Sequence, residues 1–373
     1  MAGVGGAPQG GNAGVGGSEA PAGSGGVAFG GAGGTAGSGG EGAQSEAGAA
    51  GSGGTAAGGT SGAAGESGAS GFSGSAGAAG SGGVAGNAGA GGTGAAPGPV
   101  VDRSTPRLYQ SEFSADDADP NAERALGTQF AYLDTRAEPK GKLVIYLHGA
   151  GEFTSCGNGA LGTLVASFGY HWFGPCYLSN YGVDNCGDDI EGCRLEALSG
   201  ADHHPFLEIT RPDSIEERIV RGLQHLTNIN PEGDWQYFVD GDAPRWSEIL
   251  VTGHSHGAST SGVIGVHHEV ARVVMLAGPY DTGQAWLSNA PRTPVERFFG
   301  LSHTGDSQHS GHLAAWASLE LPGTPTLCDG AEAPYGNSHR LYTNVSTGDA
   351  HGSVTSGNID GLMPVWRYLY DGD

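Results

Sequence analysis

The chain has 373 residues, of which 73 are Gly, and it carries a formal net charge of −23 at pH 7. An excess of negative charge this large repels nucleic acid and anionic membranes, and it excludes polyanion binding as the main role. No run of about 18 apolar residues occurs, so the sequence predicts no membrane-spanning helix.

Residues 1–98 differ in composition from the rest of the chain. They are almost wholly Gly, Ala and Ser, and they contain neither Lys nor Arg. Such a segment cannot bury enough apolar surface to offset the entropy of ordering it, so we predict a disordered, low-complexity linker or stalk. Residues 99–373 are long enough for one domain with a substantial core.

After a polar, Pro-containing lead-in over residues 99–122, short apolar runs alternate with helical patterns. The predicted strands are, in chain order, residues 127–134, 142–147, 170–178, 248–252, 271–277, 295–301 and 340–344. The predicted helices are residues 161–168, 214–228, 256–268, 312–320 and 359–370. Ser214 followed by Glu217 is a capping box, which marks the start of its helix. Buried strands alternating with helices predict an α/β fold, a mostly parallel sheet covered by helices on both faces.

Residues 179–212 interrupt this alternation and predict a loop-like insertion. The segment is acidic, with Asp184, Asp188, Asp189 and Glu191 close together, and Asp202-His203-His204 follows. Clustered carboxylates are typical of Ca²⁺ ligands, but this spacing matches no Ca²⁺ loop. We therefore predict a solvated acidic loop, and no metal or cofactor.

The five cysteines indicate disulfides in an exported protein. Cys186 with Cys193 is the easiest pair to close, Cys156 with Cys176 is a plausible second, and Cys328 is left over. Five reduced thiols are the alternative. The first residues, Met-Ala-Gly-Val-Gly-Gly, hold no basic or apolar signal region, so either the true start lies upstream or export follows another route.

The most informative motif is Gly-His-Ser-His-Gly at residues 253–257, which places Ser255 between a buried strand and a helix. Only small neighbours let a strand and a helix approach closely around a sharp turn that exposes a nucleophilic hydroxyl. A serine hydroxyl is a poor nucleophile without an imidazole to take its proton and oxyanion donors nearby. We therefore predict Ser255 as a catalytic nucleophile, the alternative being an inert Gly-rich turn.

Two backbone N–H groups are predicted to form the oxyanion hole. One belongs to His256, directly after the nucleophile. The other comes from the loop His148-Gly-Ala-Gly151 after the first buried apolar run, with Ala150 favoured and Gly151 as the alternative.

The acid and the histidine of a triad are expected to follow the nucleophile in sequence. Asp306 follows the second strand after Ser255 and is favoured over Asp281, which follows the first. His351 lies on a loop after the last predicted strand, among small residues, and is the favoured base. The rival histidines are His309, His312 and His339.

The Leu-His-Gly-x-Gly loop and the Gly-His-Ser-x-Gly elbow resemble those of the esterase and lipase branch of the α/β-hydrolase superfamily, over about residues 127–370. The resemblance implies an eight-stranded, mostly parallel sheet and a triad of Ser255, Asp306 and His351. His256 in the variable elbow position and the Cys-containing insertion depart from common members. The low-complexity front resembles stalks of secreted or lipid-anchored proteins of high-GC bacteria.

The function predicted on these grounds is hydrolysis of a small-molecule or polymeric carboxylic ester through an acyl-enzyme intermediate. A peptidase, a thioesterase or a polyester depolymerase would use the same three residues. The alternative from another class is a non-catalytic binding module on the same scaffold. The sequence predicts neither the acyl length nor the oligomeric state.

Overall fold

A computed structural model describes residues 98–151, 153–357, 359 and 361–372. The predicted linker, residues 1–98, lies outside the described residues except for its last position. The strands are, in chain order, β1 (Leu108–Ser114), β2 (Thr128–Asp134), β3 (Leu143–Leu147), β4 (His171–Gly174), β5 (Val239–Asp240), β6 (Ala243–Pro244), β7 (Ile249–His254), β8 (Arg272–Leu276), β9 (Phe298–His303), β10 (Thr326–Leu327) and β11 (Arg340–Thr343).

The described residues form eight α-helices. They are α1 (Ala115–Ala118), α2 (Gly159–Ser167), α3 (Val183–Cys186), α4 (Ile190–Ser199), α5 (Ile215–Ile229), α6 (His256–His267), α7 (His309–Ser318) and α8 (Met363–Asp371). Ser214 caps α5 by accepting a hydrogen bond from the Glu217 amide, as the capping box predicts.

Among the described residues, nine strands form one sheet in the order β1-β2-β4-β3-β7-β8-β9-β11-β10, and β5 and β6 form a separate hairpin. In this sheet β2 pairs antiparallel with both β1 and β4, while the other described pairs are parallel. This is the α/β-hydrolase fold. In the part of the chain that the structure describes, the sheet has nine strands and not the eight that the resemblance implies, since short β10 extends one edge.

Both faces of the sheet are buried, which explains the continuous apolar runs in the strands. Along β3, Leu143 and Ile145 pack into one core with residues of α5 and α6, while Val144 and Tyr146 pack into the other with residues of α2 and α8. The two helix layers leave free the edge where the parallel strands end, and loops at that edge carry ligand sites in open α/β sheets.

Two predictions about irregular segments are wrong. The lead-in contains β1, an edge strand in which Gln110, Ser111 and Glu112 are consecutive polar residues, so the sequence shows no alternation of polar and apolar residues. The insertion at 179–212 is not a loop throughout, because α3 and α4 lie within it. Asp189 caps α4, and Glu191 pairs with His267 Nε2 at 2.7 Å, so these two carboxylates have structural partners.

Both predicted disulfides are present, Cys156–Cys176 and Cys186–Cys193, and Cys328 is a buried free thiol. The second bridge joins the end of α3 to α4 inside the insertion. In the described part of the chain, no helix combines the length and apolar character needed to cross a bilayer.

Candidate active site

Ser255 occupies the turn between β7 and α6 in a conformation that few residues other than Gly adopt. Its backbone has φ 55° and ψ −115°, and its amide donates to the Leu276 carbonyl at 2.9 Å. A non-glycine residue at positive φ is strained and persists only where its surroundings hold it. This sharp strand-to-helix turn, the predicted elbow, lies at the carboxyl edge of the sheet.

The two glycines of the motif are required by close backbone contacts. A Cβ on Gly253 would lie 2.2 Å from the Gly257 carbonyl oxygen, and one on Gly257 would lie 2.0 Å from the Leu147 carbonyl oxygen. The start of α6 therefore rests directly on the end of β3. This contact brings the His256 amide to the edge where the loop after β3 begins.

His351 and Asp306 are joined by a hydrogen bond of 2.7 Å between Nδ1 and Oδ2. Asp306 is buried after β9, whereas the side chain of His351 keeps 34% of its surface exposed. Burial alone would raise the pKa of the Asp306 carboxyl, but hydrogen bonds from the Gln308 amide and from His351 outweigh it and hold the pKa below its usual value. An ionised Asp306 fixes the imidazole with Nε2 directed away from the carboxylate.

The His351 loop lies beside the elbow. The His351 carbonyl oxygen is 3.0 Å from His254 Nε2, and the two imidazole rings are 4.7 Å apart. Among the described residues, no hydrogen bond joins Ser255 Oγ to His351. Catalytic hydrogen bonds are often long without substrate and tighten when it binds.

Asp281, the alternative acid, is bound to another residue. Its two oxygens accept hydrogen bonds from Nε and Nη2 of Arg194, each at 3.1 Å. The Trp286 indole and the Ser259 hydroxyl also donate to this carboxylate. The structure thus joins Asp306, and not Asp281, to His351.

The rival histidines have other partners. His309 and His312 each place Nδ1 2.9 Å from the Ser302 hydroxyl, and His339 places Nδ1 3.0 Å from the Phe298 carbonyl oxygen. Burial lowers the pKa of His312 to about 4, so this imidazole is neutral at pH 7.

The loop after β3 is held by hydrogen bonds from the segment after β4. The Ser179 hydroxyl donates to the Gly149 carbonyl and accepts from the Gly151 amide, at 3.0 and 3.2 Å. The Tyr177 hydroxyl donates to the His148 carbonyl at 2.9 Å. The Gly151 amide is thus already bonded to Ser179, and Ala150 lies exposed beside it.

A buried chain of polar side chains under the elbow was not predicted from the sequence. Arg194 Nη1 lies 3.4 Å from His256 Nε2, and His256 Nδ1 lies 3.2 Å from the Tyr177 hydroxyl. Burial first, and then the Arg194 charge, hold the pKa of His256 well below its usual value. A neutral His256 that accepts from Arg194 therefore links the pair Arg194–Asp281 to the loop that holds Ala150. The sequence carries one signal for it, since Arg194 is one of only two arginines in an acidic insertion.

A cleft of about 780 Å³ opens at Ser255 and His256. The α3 segment forms one wall, the loop after β8 forms another, and the start of α7 completes it. Gln308 lines this cleft and also a neighbouring depression that contains Asp306 and His351. The cleft therefore opens at Ser255 and adjoins the depression that contains the Asp306–His351 pair.

No protein-family model matches the chain, and no curated protein matches it. Solved structures are similar to it at low identity. An acylaminoacyl peptidase of Pyrococcus horikoshii is 12% identical with a TM-score of 0.39, over 71% of this chain and 41% of the peptidase, so the chain spans about two fifths of that protein.

A feruloyl esterase module of Clostridium thermocellum is 12% identical with a TM-score of 0.39, over 74% of this chain and 90% of the module. Esterase B of Lactobacillus rhamnosis is 12% identical with a TM-score of 0.38, over 71% of this chain and 88% of the esterase. Nothing about the activity of this chain follows from similarity this low.

Proposed function

We propose that the chain is a serine hydrolase that cleaves carboxylic esters through an acyl-enzyme intermediate. The observation that carries the proposal is the strained Ser255 directly after β7, whose neighbour His254 contacts a His351 that is bonded to a buried Asp306. A strained non-glycine turn that exposes a hydroxyl next to an oriented imidazole has a clear chemical use in nucleophilic catalysis.

In the first half of the reaction, Ser255 Oγ attacks the acyl carbon while its proton passes to His351 Nε2. The carbonyl oxygen becomes an oxyanion, which accepts hydrogen bonds from the Ala150 and His256 amides. The bond between the acyl carbon and the alcohol oxygen then breaks, and the alcohol leaves with the proton from His351. Asp306 holds the imidazole in the required tautomer and stabilises the imidazolium.

In the second half, a water molecule gives a proton to His351 and attacks the acyl carbon of the serine ester. Collapse of the second tetrahedral intermediate releases the carboxylic acid and returns the proton to Ser255 Oγ. The same two amides stabilise the second oxyanion. A removal of one such donor lowers turnover by about 10²- to 10³-fold in a well-studied serine protease, so the loop around Ala150 is an essential part of the proposed site.

Reaction with a fluorophosphonate probe tests the proposal. We expect peptide mass spectrometry to find the phosphonate on Ser255, and we expect labelling to slow by orders of magnitude in His351→Ala. Ser318→Ala, which removes an exposed serine on α7, serves as the matched control and should label like the wild type. No labelling together with no ester turnover would instead favour a binding module.

We also propose that the protein functions outside the reducing cytosol. Its two disulfides support this, because such bridges persist in oxidising compartments. Thiol titration of unreduced, denatured protein isolated from culture medium should find one free thiol, that of Cys328. Five free thiols would contradict the proposal.

A further inference from the structure

Most side chains that line the cleft beside Ser255 carry a polar group. Among its described lining residues, Val183 and Tyr280 are the two whose side chains present a large apolar surface. Pockets for apolar ligands are lined mostly by hydrophobic side chains with a few polar groups that fix orientation. Because so few large apolar side chains line this cleft, it disfavours a long acyl or alkyl chain and favours a substrate rich in hydrogen-bonding groups.

The charges around the cleft disfavour an anionic substrate. Arg194 is the cation among the described lining residues, and its guanidinium already binds both oxygens of Asp281. Asp184 lies exposed on the opposite wall, and the whole chain carries a net charge of −23. A carboxylate or phosphate group would find no unpaired cation in this part of the chain, so the charges favour a neutral ligand.

Tyr280 supplies a flat apolar surface at the rim. It is 55% exposed, although tyrosine rings are usually half-buried or buried. Gly311 lies against the ring, since a Cβ there would come within 2.5 Å of Cδ2 and Cε2. One side of the ring is thus supported by the start of α7, and the exposed remainder is held in place beside Gln308 and Ser310 of the same cleft wall.

The opposite wall is also fixed in place. The disulfide Cys186–Cys193 anchors the end of α3, the helix that carries Asp184 and Asn185, to α4. Gln284 ties this segment to the loop after β8, because its amide nitrogen donates to the Gly187 carbonyl at 3.2 Å. A polar wall held at a set distance from an exposed aromatic ring is a preformed site, and preformed sites lose little entropy when they bind.

We propose that the alcohol half of the ester is a neutral sugar, whose ring stacks on Tyr280 while its hydroxyls bond to polar groups of the walls. This inference rests on the proposed ester hydrolysis. A sugar ring presents C–H groups on its faces and hydroxyls around its edge, which matches an aromatic ring flanked by amide and hydroxyl side chains. Since a neutral sugar has no carboxyl group, it is the alcohol of the ester, and its oxygen takes the proton from His351 as the acyl group passes to Ser255 Oγ.

The test compares two acetates that share an acyl group, cellobiose monoacetate and hexyl acetate. We expect the wild-type kcat/KM to be higher for the sugar acetate. Tyr280→Ala should lower the ratio of the two kcat/KM values about five- to tenfold, mainly through the KM of the sugar acetate, whereas Tyr280→Phe should keep the wild-type ratio. Phe206→Ala, which removes an exposed aromatic ring that does not line the cleft, is the control.

A wild-type preference for hexyl acetate, or an equal loss on both acetates in Tyr280→Ala, would overturn the sugar proposal. Calorimetric binding of cellobiose monoacetate to Ser255→Ala, with and without Tyr280→Ala, separates this proposal from the hydrolase proposal. If the wild-type protein hydrolyses neither acetate but binding to Ser255→Ala depends on Tyr280, the sugar site would be supported and the hydrolase proposal would be wrong. If the wild-type protein hydrolyses hexyl acetate but cellobiose monoacetate does not bind to Ser255→Ala, the hydrolase proposal would be supported and the sugar proposal would be wrong.

Discussion

At the scale of single residues, two buried aspartates at the carboxyl edge of the sheet have different partners. Asp306 bonds the half-exposed His351, while Asp281 bonds the buried Arg194 through both of its oxygens. A carboxylate that orients an imidazole contributes to catalysis, and one that neutralises a buried guanidinium contributes to folding. The two positions therefore predict opposite mutational effects from the same chemical change.

Asp306→Asn is expected to lower kcat by about 10⁴-fold, because an amide stabilises the wrong tautomer of His351. Its free energy of unfolding should change little. Asp281→Asn leaves the Arg194 charge buried without its counter-ion, so it should destabilise the protein by about 3–5 kcal/mol. The measurements are ester turnover and urea unfolding of both variants. If only Asp281→Asn loses turnover, then Asp281 is the acid of the triad and the assignment of Asp306 is wrong.

At the scale of elements, the site depends on the contact between the start of α6 and the end of β3. Gly257 makes this contact possible, because any side chain there would meet the Leu147 carbonyl. The contact also sets how far the His256 amide lies from the loop that carries Ala150. The packing of α6 against β3 thus determines the distance between the two amides of the proposed oxyanion hole.

Gly257→Ala should move α6 away from β3, with a loss of about 2 kcal/mol in the free energy of unfolding. Turnover should fall by about 10²-fold or more, because one oxyanion donor moves out of reach. Gly348→Ala is the matched control, since a Cβ there meets nothing within 4 Å. Wild-type kinetics for Gly257→Ala would show that the contact does not position the donor.

The sequence predicted the elements whose pattern is local. Apolar runs located the parallel strands, and the glycines around Ser255 located the elbow. The insertion helix α4 was missed because its buried face includes the polar Arg194 and Glu196, whose partners come from elsewhere in the chain. Arg194 and Asp281 are 87 residues apart, and no spacing rule connects them. The carboxylate of Glu196 likewise accepts from amides of the following loop.

At the scale of the whole molecule, several imidazoles are buried in neutral form, and this sets the response to acid. Burial lowers the pKa to about 4 for four of them, which are His171, His254, His268 and His312. His171 is fully buried, with Nε2 2.6 Å from the Gly233 carbonyl oxygen and no partner for Nδ1 in the described part of the chain. A proton on Nδ1 would therefore have no acceptor.

The folded protein should lose stability as the pH falls from about 6.5 to 4. In that window the unfolded chain takes up a proton at His171 and the folded chain does not, so the contribution is complete above pH 6.5 and is lost toward pH 4. For His171 alone the loss is about 2 kcal/mol at pH 5. Urea unfolding at pH 7 and pH 5 measures it, and His171→Gln should reduce the difference. His203→Gln, at an exposed histidine, should leave the difference as in the wild type.

An increase in stability toward pH 5 would contradict the burial of these imidazoles in neutral form. An unchanged pH dependence in His171→Gln would assign the effect to the other three histidines.

The most direct test of the central claim is the turnover of p-nitrophenyl acetate by Ser255→Ala. The substitution removes the attacking oxygen and leaves the amides of Ala150 and His256 in place. We expect kcat to fall by about 10⁶-fold, with thermal melting close to that of the wild type. If a folded Ser255→Ala protein keeps turnover close to that of the wild type, the account is contradicted, because the hydrolysis would then take place elsewhere on the molecule.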